Sequence, residues 1–194
     1  MPKGRLEAFT DGVMAIIITI MVLELKVPEG FELDSLLALV PKLLIYLLSF
    51  VFVGIYWMNH HHTLHATKKV TGGILWANLS LLFWLSLFPF VAGWMGENLY
   101  RPLPSAAYGV ILFMAGISYL VLQRSIIAAD GENSALKKAI GNDWKGKVTS
   151  GLIVLAVISS FFLTYLSLII YILITIIWMV PDKRIEKTLS AGDE

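Results

Sequence analysis

The chain has 194 residues, 57% of them hydrophobic and only 15% charged, with a mean hydropathy of +0.76. A water-soluble domain carries about 25% charged residues, so this balance points to an integral membrane protein with little soluble mass. A net charge of +1 gives no basic field for nucleic acid, and the lack of cysteine removes disulfides, thiolate metal sites and cysteine nucleophiles.

The first apolar run follows acidic Glu7 and Asp11 and has no small-residue cleavage site after it, so it reads as a span and not a signal peptide. A span needs roughly 20 apolar residues. Four stretches qualify, at about 6–25, 36–58, 73–95 and 105–128. The loop "KVPEGFELDS" separates the first two, and "HHHTLHATKKVTGG" follows the second with all four histidines. A short turn, "GENLYRPLPS", precedes the fourth span, and a polar stretch at roughly 129–147 with a short surface helix follows it.

The 33 residues from Val148 to Val180 contain only Gly151 as a breaker. One helix of that length would measure about 50 Å and overshoot a hydrocarbon core of about 30 Å. A hairpin of two short spans, about 148–163 and 166–180, fits instead, with its turn near "FLTYLS". Six spans place 12 of the 15 basic residues on the side of the termini, leaving Lys26, Lys42 and Arg101 opposite. Five spans would put the basic "DKRIEK" tail outside, against the positive-inside rule. The expected fold is therefore all-α and membrane-embedded: a six-helix domain over 1–181, both termini cytoplasmic, and a short tail at 182–194. The "TLSAGDE" end of that tail reads as disordered.

Within the first span, Arg5, Phe9, Gly12, Ile16, Thr19 and Leu23 recur at 3-4 spacing along one face. Spacing alone fits lipid contact, bundle packing or a pore constriction formed by several copies around an axis. Thr19 also has the option of bonding back to its own helix. A charge at membrane depth costs about 2.5–3.5 kcal/mol, so Arg5 and Asp11 are expected to face protein or water. The plainer account makes Thr10 or Asp11 a helix cap and lets Arg5 snorkel to lipid phosphate. Glu24 lies at the far interface, where a ring of copies would attract cations. His61 and His65 have a ligand-like i,i+4 spacing, but no acidic residue nearby completes a metal site. Asn78 and Ser80 read as interhelical glue, and Pro89 as a kink or re-aiming point. No nucleotide loop, nucleophile elbow or catalytic carboxylate pair is present, so nothing supports an enzyme.

The stretch "RLEAFTDGVMAIIITIMVLEL" resembles the first-helix signature of the lysosomal potassium channel family and its prokaryotic relatives, Arg-x-x-x-Phe-Ser-Asp followed by an apolar run. Arg5, Phe9, Thr10 and Asp11 occupy the motif, with Thr where Ser is usual. "YWMNHH" resembles the family's Trp-x-x-His through Trp57 and His60, and "WANLSLLFWLSLFPF" its third helix through Asn78, Pro89 and Phe90. The resemblance implies a homotetramer whose first helices line a central pore, with Ile16 as the apolar constriction and Thr19 and Leu23 as further layers. It also implies that Arg5, Trp57 and His60 form a supporting network behind that helix, with Asp11 structural in the same sense. The expected function is a potassium channel subunit, modestly selective over sodium, in the plasma membrane of a prokaryote. Its partners are its own copies and the bilayer, and it needs no cofactor beyond the permeant ion. Two other readings use the same residues. One is a proton-coupled transporter or proton pathway relaying through Asp11 and the histidines. The other is a redox or metal protein built on His60, His61, His62 and His65.

Overall fold

The computed structural model describes residues 2–131, 134–141 and 143–179, and all its regular elements are helices. They are α1 (Lys3–Leu23), α2 (Leu33–Leu37), α3 (Val40–His65), α4 (Gly72–Ser86), α5 (Phe88–Glu97), α6 (Pro102–Asp130), α7 (Ala135–Ile140), α8 (Trp144–Ser159) and α9 (Thr164–Met179). Four stretches are long and apolar enough to cross a membrane: Lys3–Leu23, Leu33–His65, Gly72–Glu97 and Pro102–Asp130. The predicted tail at 182–194 lies outside the described residues.

Local chemistry sets the boundaries. Proline sits in the first turn of α3, α5 and α6, where its missing N–H is not needed. Thr71 caps α4 by accepting from Ile74 N at 3.4 Å, and Asp143 caps α8 by accepting from Gly146 N at 3.1 Å. Gly131 ends α6 at φ 76°, a left-handed conformation that glycine adopts without strain, and its N–H reaches the Ile127 carbonyl at 3.0 Å.

The third apolar stretch is divided into α4 and α5 at Leu87. Pro89 cannot donate to the Leu85 carbonyl and its ring crowds that turn, so the first helix ends and a second begins there. The second span continues through the histidine run to His65, seven residues beyond its expected end, so the histidines are helical. The stretch expected to hold two short spans forms α8 and α9, 16 residues each and about 24 Å long. The turn between them occupies 160–163, a little before the predicted "FLTYLS".

Helix α6 is the organising element, packed against α4, α5, α8 and α9. Small polar side chains join these helices where water is absent. Ser105 on α6 pairs with Ser167 on α9 at 2.5 Å, accepts from Ser160 at 3.3 Å, and offers its carbonyl to the Tyr171 hydroxyl at 2.9 Å. Gly109 lets α9 approach: an added Cβ there would collide with the Tyr171 hydroxyl and stand 2.6 Å from Val157. On the other side, α1 packs against α3, α4 and α5, which fixes how the motif helix is presented.

Candidate ion-conduction site

The two faces of α1 have opposite environments. Leu6, Thr10, Met14, Ile17 and Met21 are buried against the rest of the chain. Arg5, Phe9, Gly12, Ile16, Thr19 and Leu23, the line drawn by spacing, are all exposed. Ile16 is 57% and Leu23 76% exposed, so packing within the subunit accounts for neither. The Thr19 hydroxyl bonds back to the Ala15 and Ile16 carbonyls at 3.0 and 2.9 Å, which lets a hydroxyl sit on an apolar face without an unpaired donor. Beside this line, Val13, Ile16, Ile20, Glu24, Pro89 and Phe90 border an open groove of about 500 Å³ between α1 and α5.

A hydrogen-bond chain pins the buried face of α1. The Asn78 side-chain amide donates to the Thr10 hydroxyl at 2.9 Å, and its carbonyl oxygen lies 2.7 Å from His60 Nε2. A carbonyl oxygen only accepts, so His60 carries its proton on Nε2 and donates. Thr10, His60 and Asn78 are all buried, so this chain is shielded from water. Next to it, Trp57 Nε1 donates to Asp11 Oδ1 at 2.9 Å. Trp57 and His60 are one turn apart on α3, which is why one helix supplies both anchors. The structure thus brings together Thr10, Asp11, Trp57, His60 and Asn78. Arg5 and Phe9 lie outside this cluster, on the exposed line.

The remaining histidines form a separate group at the same end. His61 stacks on His65 with ring centroids 6.4 Å apart, and Lys3 Nζ donates to the His65 carbonyl at 2.8 Å. Among the described residues, no group of three or more His, Asp or Glu side chains is placed to hold a metal ion.

Sequence reasoning missed the clamp at the opposite end of α1. Lys42 on α3 bonds Glu97 on α5 at 2.8 Å, and Lys26 approaches the same carboxylate at 3.6 Å. Gly96 admits the Lys42 backbone, whose Cα would stand 3.2 Å from an added Cβ. Gly93 does the same for Glu24, whose Oε2 would stand 2.7 Å from such a carbon. The signal available was the spacing of Gly93, Gly96 and Glu97 on one short helix.

A helical membrane bundle with an exposed apolar line on its first helix and a buried polar anchor behind it has the build of an ion-channel subunit. The solved structure of a lysosomal potassium-selective channel TMEM175 homolog from Chamaesiphon minutus superimposes with a TM-score of 0.79 at 26% identity, covering 93% of this chain and 97% of that one. The family described as endosomal/lysosomal potassium channel TMEM175 matches residues 5–89. A potassium channel of Chryseobacterium sp. (strain P1-3) is 53% identical over 190 residues, 98% of this chain and 99% of its own length. A potassium channel of Streptomyces collinus (strain DSM 40733 / Tue 365) is 31% identical over 128 residues, 62% of each. The human endosomal/lysosomal proton channel TMEM175 is 37% identical over 94 residues, 42% of this chain and 19% of that protein. The chain belongs to the TMEM175 family, a family of ion channels and not of enzymes.

Proposed function

We propose that the chain is one subunit of a homotetrameric, potassium-permeable channel in the plasma membrane of a prokaryote. Each subunit spans the bilayer six times with both termini cytoplasmic, and four copies of α1 surround the pore. Ile16 forms the narrowest apolar ring, Thr19 a hydroxyl-bearing ring one turn on, and Leu23 a further layer. One observation carries this reading: the 16-19-23 line is exposed, while the opposite face of the same helix is anchored through Thr10, Asn78 and His60. The names of the Chryseobacterium and Streptomyces relatives point to potassium as the permeant ion.

Charge placement supports the topology. Lys3, Arg5, Lys68, Lys69, Arg124, Lys137, Lys138, Lys145 and Lys147 share the side of the amino terminus, whereas Lys26, Lys42 and Arg101 lie opposite, as the positive-inside rule requires. An isoleucine ring cannot coordinate a cation, so discrimination must arise from the cost of partial dehydration at a narrow apolar passage. Potassium holds its water less tightly than sodium and crosses more readily. Such a ring also closes by dewetting, so constriction and gate can be the same layer.

The test is Ile16→Asn in planar bilayers under potassium on one side and sodium on the other. A carboxamide ring wets the passage, and the potassium-over-sodium permeability ratio should fall several-fold toward one. An unchanged reversal potential would overturn the pore assignment. Proton permeation is the second reading, favoured by the name of the human relative. A reversal potential that follows the pH gradient and ignores potassium would establish it.

A further inference from the structure

A second, partly open cavity lies within the subunit, bounded by α3, α6, α7, α8 and α9, with about 100 Å³ of space. No residue of α1 lines it, so it is separate from the proposed pore. Its body is apolar and aromatic, formed by Phe52, Phe113, Ile153, Ile174 and Trp178. Its polar groups gather at the end where α3, α6 and α9 finish and α8 begins: Asn59, Tyr119, Gln123, Asp143 and Thr149.

Three features make this end a recognition surface and not a filled core. First, Asp143 is the only formally charged side chain in the lining. It spends one oxygen on the α8 cap, to Gly146 N at 3.1 Å, and among the described residues makes no ion pair. Second, the Tyr56 hydroxyl and the Asn59 side-chain amide line the cavity with no hydrogen-bond partner among the described residues, although Tyr56 packs edge-on against Tyr119 at 6.0 Å. Neighbouring groups are spoken for: Tyr119 donates to the Asn59 carbonyl at 3.0 Å, and Thr149 accepts from Trp178 Nε1 at 2.8 Å. Third, Gly116 leaves the wall open, since an added Cβ would meet nothing closer than the Tyr56 hydroxyl at 3.7 Å. These donors and acceptors have no protein partner among the described residues, so an occupant that supplies one can replace the water they would otherwise bind.

We propose that this cavity binds a small amphiphilic amine, its ring or short chain among Phe52, Phe113 and Trp178 and its ammonium group paired with Asp143. The Asp143 carboxylate, the Asn59 amide oxygen and the Tyr56 hydroxyl are lining acceptors available to the ammonium hydrogens. Phe52 and Phe113 offer aromatic faces to the ligand, while Lys145, whose Nζ lies 5.2 Å from the Trp178 ring centre, already covers one face of that ring. A cavity of this size accepts several waters or one small ring. An anionic counterpart would meet the Asp143 charge and be repelled.

The test measures equilibrium binding of benzylamine, benzyl alcohol and benzoate to the purified full-length protein in nanodiscs, read by tryptophan fluorescence and calorimetry. Benzylamine should bind saturably, the alcohol at least tenfold more weakly, and benzoate not at all. Asp143→Asn retains an oxygen to cap α8 and should lower amine affinity at least tenfold while leaving alcohol affinity unchanged. Gly116→Leu fills the cavity and should abolish both. Ile16→Asn should change neither, which separates this site from the pore. No saturable binding, equal affinity for amine and alcohol, or loss of binding in Ile16→Asn with retention in Gly116→Leu would overturn the proposal.

Discussion

Removing the Asn78 carboxamide strands two buried partners at once. The Thr10 hydroxyl loses its donor at 2.9 Å and His60 Nε2 loses its acceptor at 2.7 Å, with no water to replace either. An unsatisfied buried polar group costs about 1–3 kcal/mol, so Asn78→Ala should destabilise the subunit by at least that much and lower its thermal unfolding temperature. A loosened α1 should also broaden the proposed pore, so selectivity should fall with stability. By contrast, Trp57→Phe removes only the indole bond to an exposed Asp11 and should cost about 1 kcal/mol or less. Melting curves followed by size-exclusion of the detergent-solubilised protein would rank the two. Equal losses would mean that the buried chain does not anchor α1. The residues of this chain come from α1, α3 and α4, 18 and 68 positions apart, so no local pattern joins them. Resemblance to family motifs picked out Thr10, His60 and Asn78, while spacing drew the 16-19-23 line directly because helix periodicity survives in sequence.

At the scale of elements, what was legible followed backbone chemistry. Pro89 announced the α4–α5 break because proline cannot complete a helical turn, whereas Pro102 and Pro104, read as part of a turn before a span at 105, lie in the first turn of α6, where proline is tolerated. The short α2 was not legible, because a five-residue helix has no periodicity of its own. The α8–α9 turn carries no proline or glycine, and its place is set by tertiary bonds from Ser105 to Ser160 and Ser167. The close α6–α9 approach at Gly109 is equally silent in sequence. Gly109→Ala should push α9 away from α6 and break the Tyr171 bond to the Ser105 carbonyl, an overpacking cost of about 1–3 kcal/mol. Gly151→Ala is the control: nothing lies within 4 Å of its added Cβ, and alanine gains about 1 kcal/mol of helix propensity. The first variant should melt lower than the parent and the second no lower. The reverse order would mean that the hairpin is not seated on α6 as described.

At the scale of the whole molecule, the α8–α9 hairpin decides the topology. Each arm is about 24 Å long, shorter than a hydrocarbon core of about 30 Å, so in the proposed six-span arrangement the turn at 160–163 meets either a thinned bilayer or the edge of the apolar region. Phe161 and Phe162 are exposed there, a chemistry suited to the membrane interface. Because the chain has no cysteine, single cysteines report topology without background. Tyr100→Cys, in the α5–α6 connection, should react with a membrane-impermeant maleimide added outside intact cells. Lys69→Cys, in the α3–α4 connection, should react only after permeabilisation. Phe162→Cys should react from the outside too, but more slowly than Tyr100→Cys, because its short arms hold it at the interface. Labelling of Phe162→Cys only after permeabilisation, or not at all, would put the turn inside the bilayer or on the cytoplasmic side. The six-span count would then fail, and with it the placement of the carboxyl terminus beside the basic cytoplasmic segments.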